Sequence, residues 1–582
     1  MSYIDSLNYP FDSNYILKHS KSIKKELLEF DSFKNIKIAI LSGSTIGYVK
    51  NILELFLLNN GLKPEFYEGE YNRFYENALF DNSLIEFNPD IVFIHTSGKN
   101  IKNWDNSDSE FNYFKEIWQK LLIHNFKIIQ NNFEMSDYRV LGNRDIYDKS
   151  GRLNFIHTMN SKMYEYAQSN AGFYINDINY LSASIGLEKW HNQEHWAMYK
   201  YMCDVSCIPD YCFSVSNIIK SLYGKNKKTI MLDLDNTLWG GIIGDIGEDK
   251  IEIGMETPMG EMYLYFQQYL KELSKNGVIL NIVSKNDEKI ALKGINSDKN
   301  CLKSEDFISK RINWLPKSEN IKTILKEINL LPESAVFVDD SPIEQDEVRQ
   351  NLPQVEVLKA LSIENFKNYL DKSGFFECTI LSDDDKKRVE YYKANQKRKE
   401  EETKFADYNE YLKSLNMTAC ISGLNDKNTE RVVQLFNKTN QFNLTQKKYS
   451  VTDVGMLNAE NSIAFSVELD DKFGKNGIIS AFVGLIDNDN LIIDNWVMSC
   501  RVFKRNLENA IFAYLIRKCK NLNIKNIIGV YSKTTKNAYI ENLFTDLGFE
   551  QTEEIENISK YKFVIQDFYE QDIIKITGEE NG

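Results

Sequence analysis

The sequence KTIMLDLDNTLW, residues 228–239, places two carboxylates at the end of an apolar, β-prone run. Residues 230–232 favour a parallel strand buried on both faces, and ligands of open α/β sheets bind beyond the carboxyl ends of such strands. Asp233 and Asp235 lie at that position. Two acids two residues apart repel each other and are costly to bury unless a cation lies near them. The stretch therefore predicts a reaction centre that binds Mg²⁺.

Three later segments supply groups that suit a phosphoryl substrate. Ser284 ends the next apolar strand, Lys317 precedes a helix, and Asp339 with Asp340 ends a further strand. A phosphoryl group carries negative charge, so a hydroxyl, a lysine and a metal ion should converge on it. We therefore expect these segments to meet at one edge of a sheet.

The two acids of the first stretch suit separate tasks. Asp233, at the strand end, is the better nucleophile for phosphorus, whereas Asp235 can protonate the leaving oxygen and then activate water. All six histidines precede residue 200. Chemistry in the middle of the chain is therefore expected to be carboxylate chemistry.

Length and composition limit the class of protein. A chain of 582 residues is too long for one core and predicts two to four domains. The formal charge of −14 argues against a general nucleic-acid binder. The chain has neither a basic-then-apolar start nor an apolar run of about 18 residues, so we expect a cytoplasmic protein without a membrane segment.

Alternating strand and helix patterns predict a multidomain α/β protein. The first and second regions are typical of doubly wound parallel sheets, and the third is typical of a mixed α/β domain. A charged stretch before the third region favours an exposed helical connector. The expected boundaries are an α/β domain at 1–222, a catalytic domain at 223–378, the connector at 379–407 and a C-terminal domain at 408–582.

The ordered segments 233–237, Ser284, Lys317 and 339–340 resemble the four motifs of the haloacid dehalogenase (HAD) superfamily of phosphatases. The resemblance implies Asp233 as nucleophile and Asp235 as acid/base, with Ser284 and Lys317 holding the phosphoryl oxygens. The spacing between motifs leaves room for only a minimal cap. The implied metal ligands are Asp233, Asp235, Asp339 and Asp340. The implied substrate contacts are Asn236, Thr237 and Asn286.

Nearly the whole chain resembles the FkbH-like proteins, through residues 238–244, 284–287, 312–314 and 438–445. That resemblance implies dephosphorylation of a three-carbon acyl phosphate, 1,3-bisphosphoglycerate, and delivery of the glyceryl unit as a thioester to an acyl carrier protein bearing phosphopantetheine. The alternative is a stand-alone phosphatase acting on a sugar or small-molecule phosphate in surface-glycan or secondary metabolism.

The C-terminal region resembles an acetyltransferase-like (GNAT) fold through residues 537–549. The aligned coenzyme A loop, residues 501–506, lacks both glycines, so we expect carrier docking rather than acetyl transfer. Nine Lys/Arg and one acid lie between residues 500 and 536, forming either a docking patch or a solvated helix face. Cys500 is either an acyl relay, with Arg501 contacting substrate, or a buried structural cysteine.

The first region resembles SGNH hydrolases, with Ser44 where a nucleophile could stand. The usual Asp-x-x-His is here Asn192-Gln193-Glu194-His195, so the orienting acid is missing from the motif. We expect a non-catalytic scaffold or cap in which Ser44 caps a helix. An aspartate elsewhere in the chain could still serve His195.

Overall fold

Apolar runs that end in polar residues organise the first part of the chain, as the sequence predicts near residues 37, 89 and 126. The computed structural model describes residues 3–30, 33–425, 427–457, 461–566 and 572–578. The strands of the first sheet are β1 (Lys34–Ser42), β2 (Leu62–Glu68), β3 (Ile91–His95), β4 (Lys127–Asn131) and β5 (Phe173–Asn176). They pair in parallel in the order β2-β1-β3-β4-β5. The predicted doubly wound arrangement of this region is confirmed.

Helices connect and flank these strands. They are α1 (Ser13–Leu27), α2 (Gly47–Asn59), α3 (Phe74–Phe80), α4 (Asn82–Phe87), α5 (Ser107–Ile123), α6 (Arg152–Ser169), α7 (Ile178–Ile185), α8 (Leu187–Trp190), α9 (Gln193–Tyr199) and α10 (Ile208–Leu222). Buried aliphatic and aromatic side chains from α5, α6 and the strands form one core.

A second parallel sheet follows. Its strands are β6 (Thr229–Leu232), β7 (Ile279–Ser284), β8 (Phe307–Ile312), β9 (Ala335–Val338) and β10 (Glu356–Val357), in the order β10-β9-β6-β7-β8. Every residue of β6, β7 and β9 is buried, which explains their continuous apolar character. The associated helices are α11 (Ile243–Ile246), α12 (Pro258–Lys275), α13 (Glu288–Asn296), α14 (Lys317–Glu327), α15 (Pro342–Asn351) and α16 (Ile363–Lys372).

The remaining residues build a mostly antiparallel sheet. Helices α17 (Asp383–Lys386), α18 (Arg388–Glu402) and α19 (Tyr408–Ser414) precede it. Its strands are β11 (Met417–Gly423), β12 (Phe442–Asn443), β13 (Ser462–Asp471), β14 (Gly474–Asp487), β15 (Asn490–Met498), β16 (Asn526–Ser532), β17 (Glu550–Ile555), β18 (Ile558–Val564) and β19 (Ile574–Gly578). Helices α20 (Thr429–Lys438), α21 (Val451–Met456), α22 (Leu507–Asn521) and α23 (Leu543–Asp546) accompany them. The strand order is β17-β18-β16-β15-β14-β13-β11-β19, with β12 paired to β15.

These elements form two compact units. The first comprises Met1–Leu222 with Lys372–Thr379, and the second comprises Tyr223–Asp371 with Ile380–Gly582. The segment after α16, expected in the catalytic domain, belongs to the first unit. There the Lys220 ammonium donates to the Gly374 carbonyl at 2.8 Å.

Helix α18 differs from the exposed connector that its charge predicts. It buries Tyr391, Tyr392 and Arg398, and Tyr392 belongs to the core under β7, β8 and β9. The Arg398 guanidinium binds both carboxylate oxygens of Asp471, at 2.7 and 2.8 Å, and Arg505 donates to the same carboxylate at 3.0 Å. One face of α18 therefore joins the second and third sheets within the second unit.

Candidate active site

The predicted catalytic residues lie at the carboxyl edge of the second sheet. Asp233 follows the central strand β6, and Ser284 is the last residue of the neighbouring β7. Lys317 begins α14 after β8, and Asp339 follows β9 on the other side of β6. Because parallel strands end together, four separate segments converge on one point.

Three carboxylates form a cluster at this edge. Oxygen atoms of Asp233, Asp339 and Asp340 all lie within 4.8 Å of one another. Asp233 is 6% exposed and Asp339 is 1% exposed, so little solvent reduces their mutual repulsion. Burial, with the nearby Asp233 carboxylate, raises the pKa of both Asp339 and Asp340. The cluster therefore attracts a cation.

Lys317 supplies one positive charge to the cluster. Its ammonium lies 2.7 Å from Asp233 Oδ1 and also binds Asp339 Oδ2. Burial alone would lower the pKa of Lys317, but the two carboxylates raise it well above its ordinary value. Lys317 is thus held charged, and it compensates only part of the negative charge of three acids.

Asp235 does not join the cluster, although the resemblance implies that it is a metal ligand. The Trp239 indole N–H and the Ile243 backbone N–H donate to its Oδ1, at 2.9 and 3.1 Å. The Asn286 amide donates to its Oδ2 at 2.8 Å. With both carboxylate oxygens occupied, Asp235 is turned toward the segment after β6, and its carboxylate is not among the clustered ligands. Burial nevertheless raises its pKa, against these three donors.

The other predicted phosphoryl and substrate contacts lie just after β6 and at the end of β7. Ser284 is buried, and the Asn286 amide lies 3.5 Å from its hydroxyl. Asn236 adopts a left-handed backbone, with φ of 52°, and its side-chain oxygen accepts the Gly241 N–H at 2.9 Å. The Thr237 hydroxyl is buried and has no hydrogen-bond partner among the described residues.

Cys500 and Arg501 lie away from the clustered acids. The Cys500 sulfur is 3.9 Å from the Tyr392 hydroxyl and interacts with Lys228, the residue before β6. Asp233 follows that strand, so the two edges are separated by roughly 15 Å at about 3.3 Å per residue. The Arg501 guanidinium stacks on the Tyr391 ring at 4.2 Å. The structure therefore does not bring these two residues to the carboxylate site.

Two of the nine cations in the basic segment 500–536 are buried, and the other seven are exposed or partly exposed. Arg501 and Arg505 are both buried, and Arg505 is paired with Asp471. Arg501 lies 3.9 Å from an Asp384 oxygen. These two cations serve internal contacts rather than an open docking patch.

In the first unit, Ser44 does not cap a helix. Helix α2 has Ile46 as its N-cap without a side-chain hydrogen bond. The Ser44 hydroxyl instead lies 2.8 Å from His95 Nε2, and His95 Nδ1 lies 2.6 Å from the Tyr211 hydroxyl. Asn131 donates to that hydroxyl at 2.8 Å, which favours the tautomer in which Tyr211 donates to Nδ1 and the histidine proton is on Nε2. In that tautomer His95 donates to Ser44 and does not accept its proton.

An acid lies near His195 outside the expected motif. His195 Nδ1 is 3.2 Å from Asp204 Oδ2, but the two atoms lack hydrogen-bond geometry, so Asp204 does not orient the ring through Nδ1. The Asn192 amide donates to the same carboxylate oxygen at 2.7 Å. Sequence reasoning left this neighbour open because Asp204 lies nine residues beyond the histidine, outside any fixed spacing.

Comparisons with known proteins agree with this architecture. Residues 37–220 match the model of the FkbH N-terminal domain. The N-terminal part of protein BF1531 from Bacteroides fragilis, a crystal structure containing a phosphatase domain complexed with Mg, is 24% identical. The alignment covers 62% of this chain and 99% of that one, with a TM-score of 0.59. The two therefore share a fold over that length.

Acetyltransferase structures give weaker similarities. The ribosomal-protein-S18-alanine N-acetyltransferase of Escherichia coli is 13% identical over 26% of this chain and 97% of its own, with a TM-score of 0.21. The spermidine N-acetyltransferase of Vibrio cholerae is 10% identical over 25% and 96%, also at 0.21. At such scores these similarities assign neither fold nor activity.

No curated protein matches the chain in sequence. Among the described residues, no helix combines the length and apolarity that crossing a bilayer requires. Residues 37–220 are thus similar to the FkbH N-terminal domain, and the chain shares the fold of a phosphatase-domain structure over 62% of its length.

Proposed function

We propose that the carboxyl edge of the second sheet is a Mg²⁺-dependent phosphoryl-transfer site with Asp233 as nucleophile. The observation that carries this proposal is the cluster of Asp233, Asp339 and Asp340, whose ligand atoms lie within 4.8 Å, with Lys317 bound to two of the three acids. Three clustered acids, two of them buried, retain net negative charge beside one lysine. Oxygen donors of this kind are the ligands that Mg²⁺ prefers.

The residues present fit such an ion. Asp233, Asp339 and Asp340 would hold it, and when bound it would neutralise charge on the phosphoryl oxygens. The BF1531 structure, which shares this fold, was crystallised with Mg. That similarity supports the choice of metal.

Side chains of this protein would carry out the attack on phosphorus, the proton transfers and the binding of the phosphoryl oxygens. One Asp233 oxygen attacks phosphorus, and the bond from phosphorus to the leaving oxygen breaks, giving an aspartyl phosphate. Asp235 gives its proton to the leaving oxygen and then takes a proton from the water that hydrolyses the aspartyl phosphate. Lys317 and the Ser284 hydroxyl hold phosphoryl oxygens in this scheme.

The finer proposal concerns an acyl phosphate. A carrier thiol would attack the acyl carbon of 1,3-bisphosphoglycerate and displace inorganic phosphate, forming a thioester. Asp233 would accept the phosphoryl group of the remaining phosphate ester, and water would then release it as phosphate. The FkbH-type match of residues 37–220 and the sequence motifs support this reaction class. Because Cys500 lies at the opposite edge of the sheet from Asp233, we propose direct attack by the carrier thiol rather than relay through Cys500.

Incubation of the full chain with Mg²⁺, labelled 1,3-bisphosphoglycerate and a phosphopantetheine-bearing carrier protein tests this proposal. We expect a glyceryl-loaded carrier, detected by intact-protein mass, together with released phosphate. With the Asp233→Asn protein, the loaded carrier should keep the phosphate ester, so its intact mass should exceed that of the glyceryl-loaded carrier by one phosphoryl group. Phosphate release without any loaded carrier would overturn the transferase half.

A stand-alone phosphatase is the second candidate. One observation favours it: the clustered acids and Lys317 all lie between β6 and α15, and the described residues of 408–582 contribute none of the clustered ligands. This candidate predicts phosphate release that is indifferent to the carrier protein.

A further inference from the structure

The Asp235 carboxylate is held by donors on both of its oxygens. The Trp239 indole and the Ile243 backbone bind Oδ1, and the Asn286 amide binds Oδ2. Two of these donors lie in the short segment after β6, and the third lies in the loop after β7. Asp235 is thus oriented from two sides.

Trp239 is the most firmly placed of these donors. Its side chain is completely buried. The following residue, Gly240, exchanges two backbone hydrogen bonds with Glu252, at 3.0 and 2.9 Å. Helix α13 packs closely against the indole at Gly294. A Cβ atom added there would lie 3.7 Å from the Trp239 ring and 2.4 Å from the Ile243 side chain. The indole N–H is therefore a rigid donor.

We propose that Trp239 is a positioning residue that holds the Asp235 carboxylate on the leaving-group side and out of the cation cluster. The clustered acids Asp233, Asp339 and Asp340 would draw a cation that an unrestrained Asp235 could also bind. The indole N–H fixes one oxygen of Asp235, leaving the carboxyl group aimed for proton transfer. This inference rests on the proposed phosphoryl-transfer function.

Leaving-group dependence separates positioning from a purely structural role. In the Trp239→Phe protein, which loses the N–H donor, we expect kcat/KM for an alkyl phosphate to fall about tenfold or more. For an aryl phosphate whose phenol is a good leaving group, we expect a fall of about twofold or less, because expulsion of that group needs little acid catalysis. Loss of folded protein would lower both values equally. Active-site titration by the aspartyl-phosphate burst corrects for the folded fraction.

Trp496 offers a matched control in the same unit. It is also buried, and its indole donates to the Ser480 hydroxyl at 3.1 Å, away from the carboxylate site. In the Trp496→Phe protein, kcat/KM for the alkyl phosphate and kcat/KM for the aryl phosphate should change by the same factor. In an Asp235→Asn background, Trp239→Phe should have no further selective effect on the alkyl phosphate.

The outcomes are distinguishable. Equal losses on alkyl and aryl phosphates in Trp239→Phe, or a selective loss that persists in the Asp235→Asn background, would overturn the positioning role. A wild-type chain that releases no phosphate from either substrate would instead overturn the proposed function itself.

Discussion

Lys317 Nζ lies 2.7 Å from Asp233 Oδ1, and both side chains are almost completely buried. This ion pair places a cation beside the proposed nucleophile, and Asp339 also binds the ammonium. Removing Lys317 would leave the clustered acids without a counter-charge, whereas removing the Asp233 charge leaves Lys317 paired with Asp339.

Replacing Lys317 by Met should destabilise the metal-free second unit by about 3–5 kcal/mol, because three clustered acids would lose their cation. Mg²⁺ should restore part of this loss. Chemical denaturation with EDTA and with Mg²⁺ measures both effects.

Lys285 provides the control for this experiment. It pairs with Glu344 at 2.6 Å near the same edge, but it is partly exposed. Lys285→Met should change stability by about 1 kcal/mol or less. Equal stability of the Lys317→Met and wild-type proteins in EDTA would contradict the assigned charge balance.

Replacing Asp233 by Asn should lower turnover at least about a thousandfold, because the amide cannot form the aspartyl phosphate. Stability should change little, since Lys317 keeps Asp339 as a partner. Phosphate release from a phosphate monoester, without carrier protein, and thermal unfolding are to be measured on the same sample. Appreciable turnover by Asp233→Asn would remove Asp233 from the nucleophile role.

Asp471 should be a strong determinant of stability although it lies far from the catalytic edge. Its carboxylate accepts from both Arg398 and Arg505, all three being buried. Asp471→Asn should cost about 3 kcal/mol or more, because two buried guanidinium groups lose their counter-charge. Denaturant unfolding checks this value. Asp489→Asn, which breaks an exposed pair with Lys525, should leave the unfolding midpoint nearly unchanged.

His95 should make the first unit sensitive to acid. Burial lowers the pKa of His95 to about 3 from 6.5. Between pH 6.5 and pH 3, His95 is protonated in the unfolded chain but stays neutral in the folded chain. The contribution of His95 to the free energy of unfolding therefore falls as pH falls from 6.5 toward 3. At pH 5 the loss should be about 2 kcal/mol.

Hydrogen exchange of peptides covering β3, corrected for intrinsic rates, measures this effect. The His95→Asn protein should be less stable at neutral pH, by about 1–3 kcal/mol, because its hydrogen bonds to Ser44 and Tyr211 are altered. Its stability should nevertheless decline less between pH 7 and pH 5. If the stability of both proteins declined equally between pH 7 and pH 5, His95 would not be the cause of the acid sensitivity.

The acids at the carboxyl edge could be predicted because a parallel strand buried on both faces is a continuous apolar run in the sequence. Each residue of β6 and β9 is buried, so the acids that follow them stand out against apolar runs. The orientation of Asp235 could not be predicted in the same way. It depends on the Asn286 amide, 51 residues away, and on an indole that sequence reasoning assigned to a motif but to no contact.

The buried face of α18 could not be predicted from the composition of the helix. Its many charged residues predict a solvated helix, but Arg398 finds its counter-charge on Asp471, 73 residues further along the chain. Tyr391 and Tyr392 were the local signal of a buried face. Long-range ion pairing of this kind has no fixed sequence spacing, so composition alone gave the wrong exposure.

The position of Tyr392 also governs how this protein can be divided for expression. Its side chain belongs to the buried cluster that contains Ile279, Ile308 and Ala335 of the second sheet. A polypeptide ending at residue 378 would lack Tyr392 and would expose part of that apolar cluster to water. A fragment that carries the carboxylate site should therefore extend to residue 402, so that it includes the helix with Tyr392.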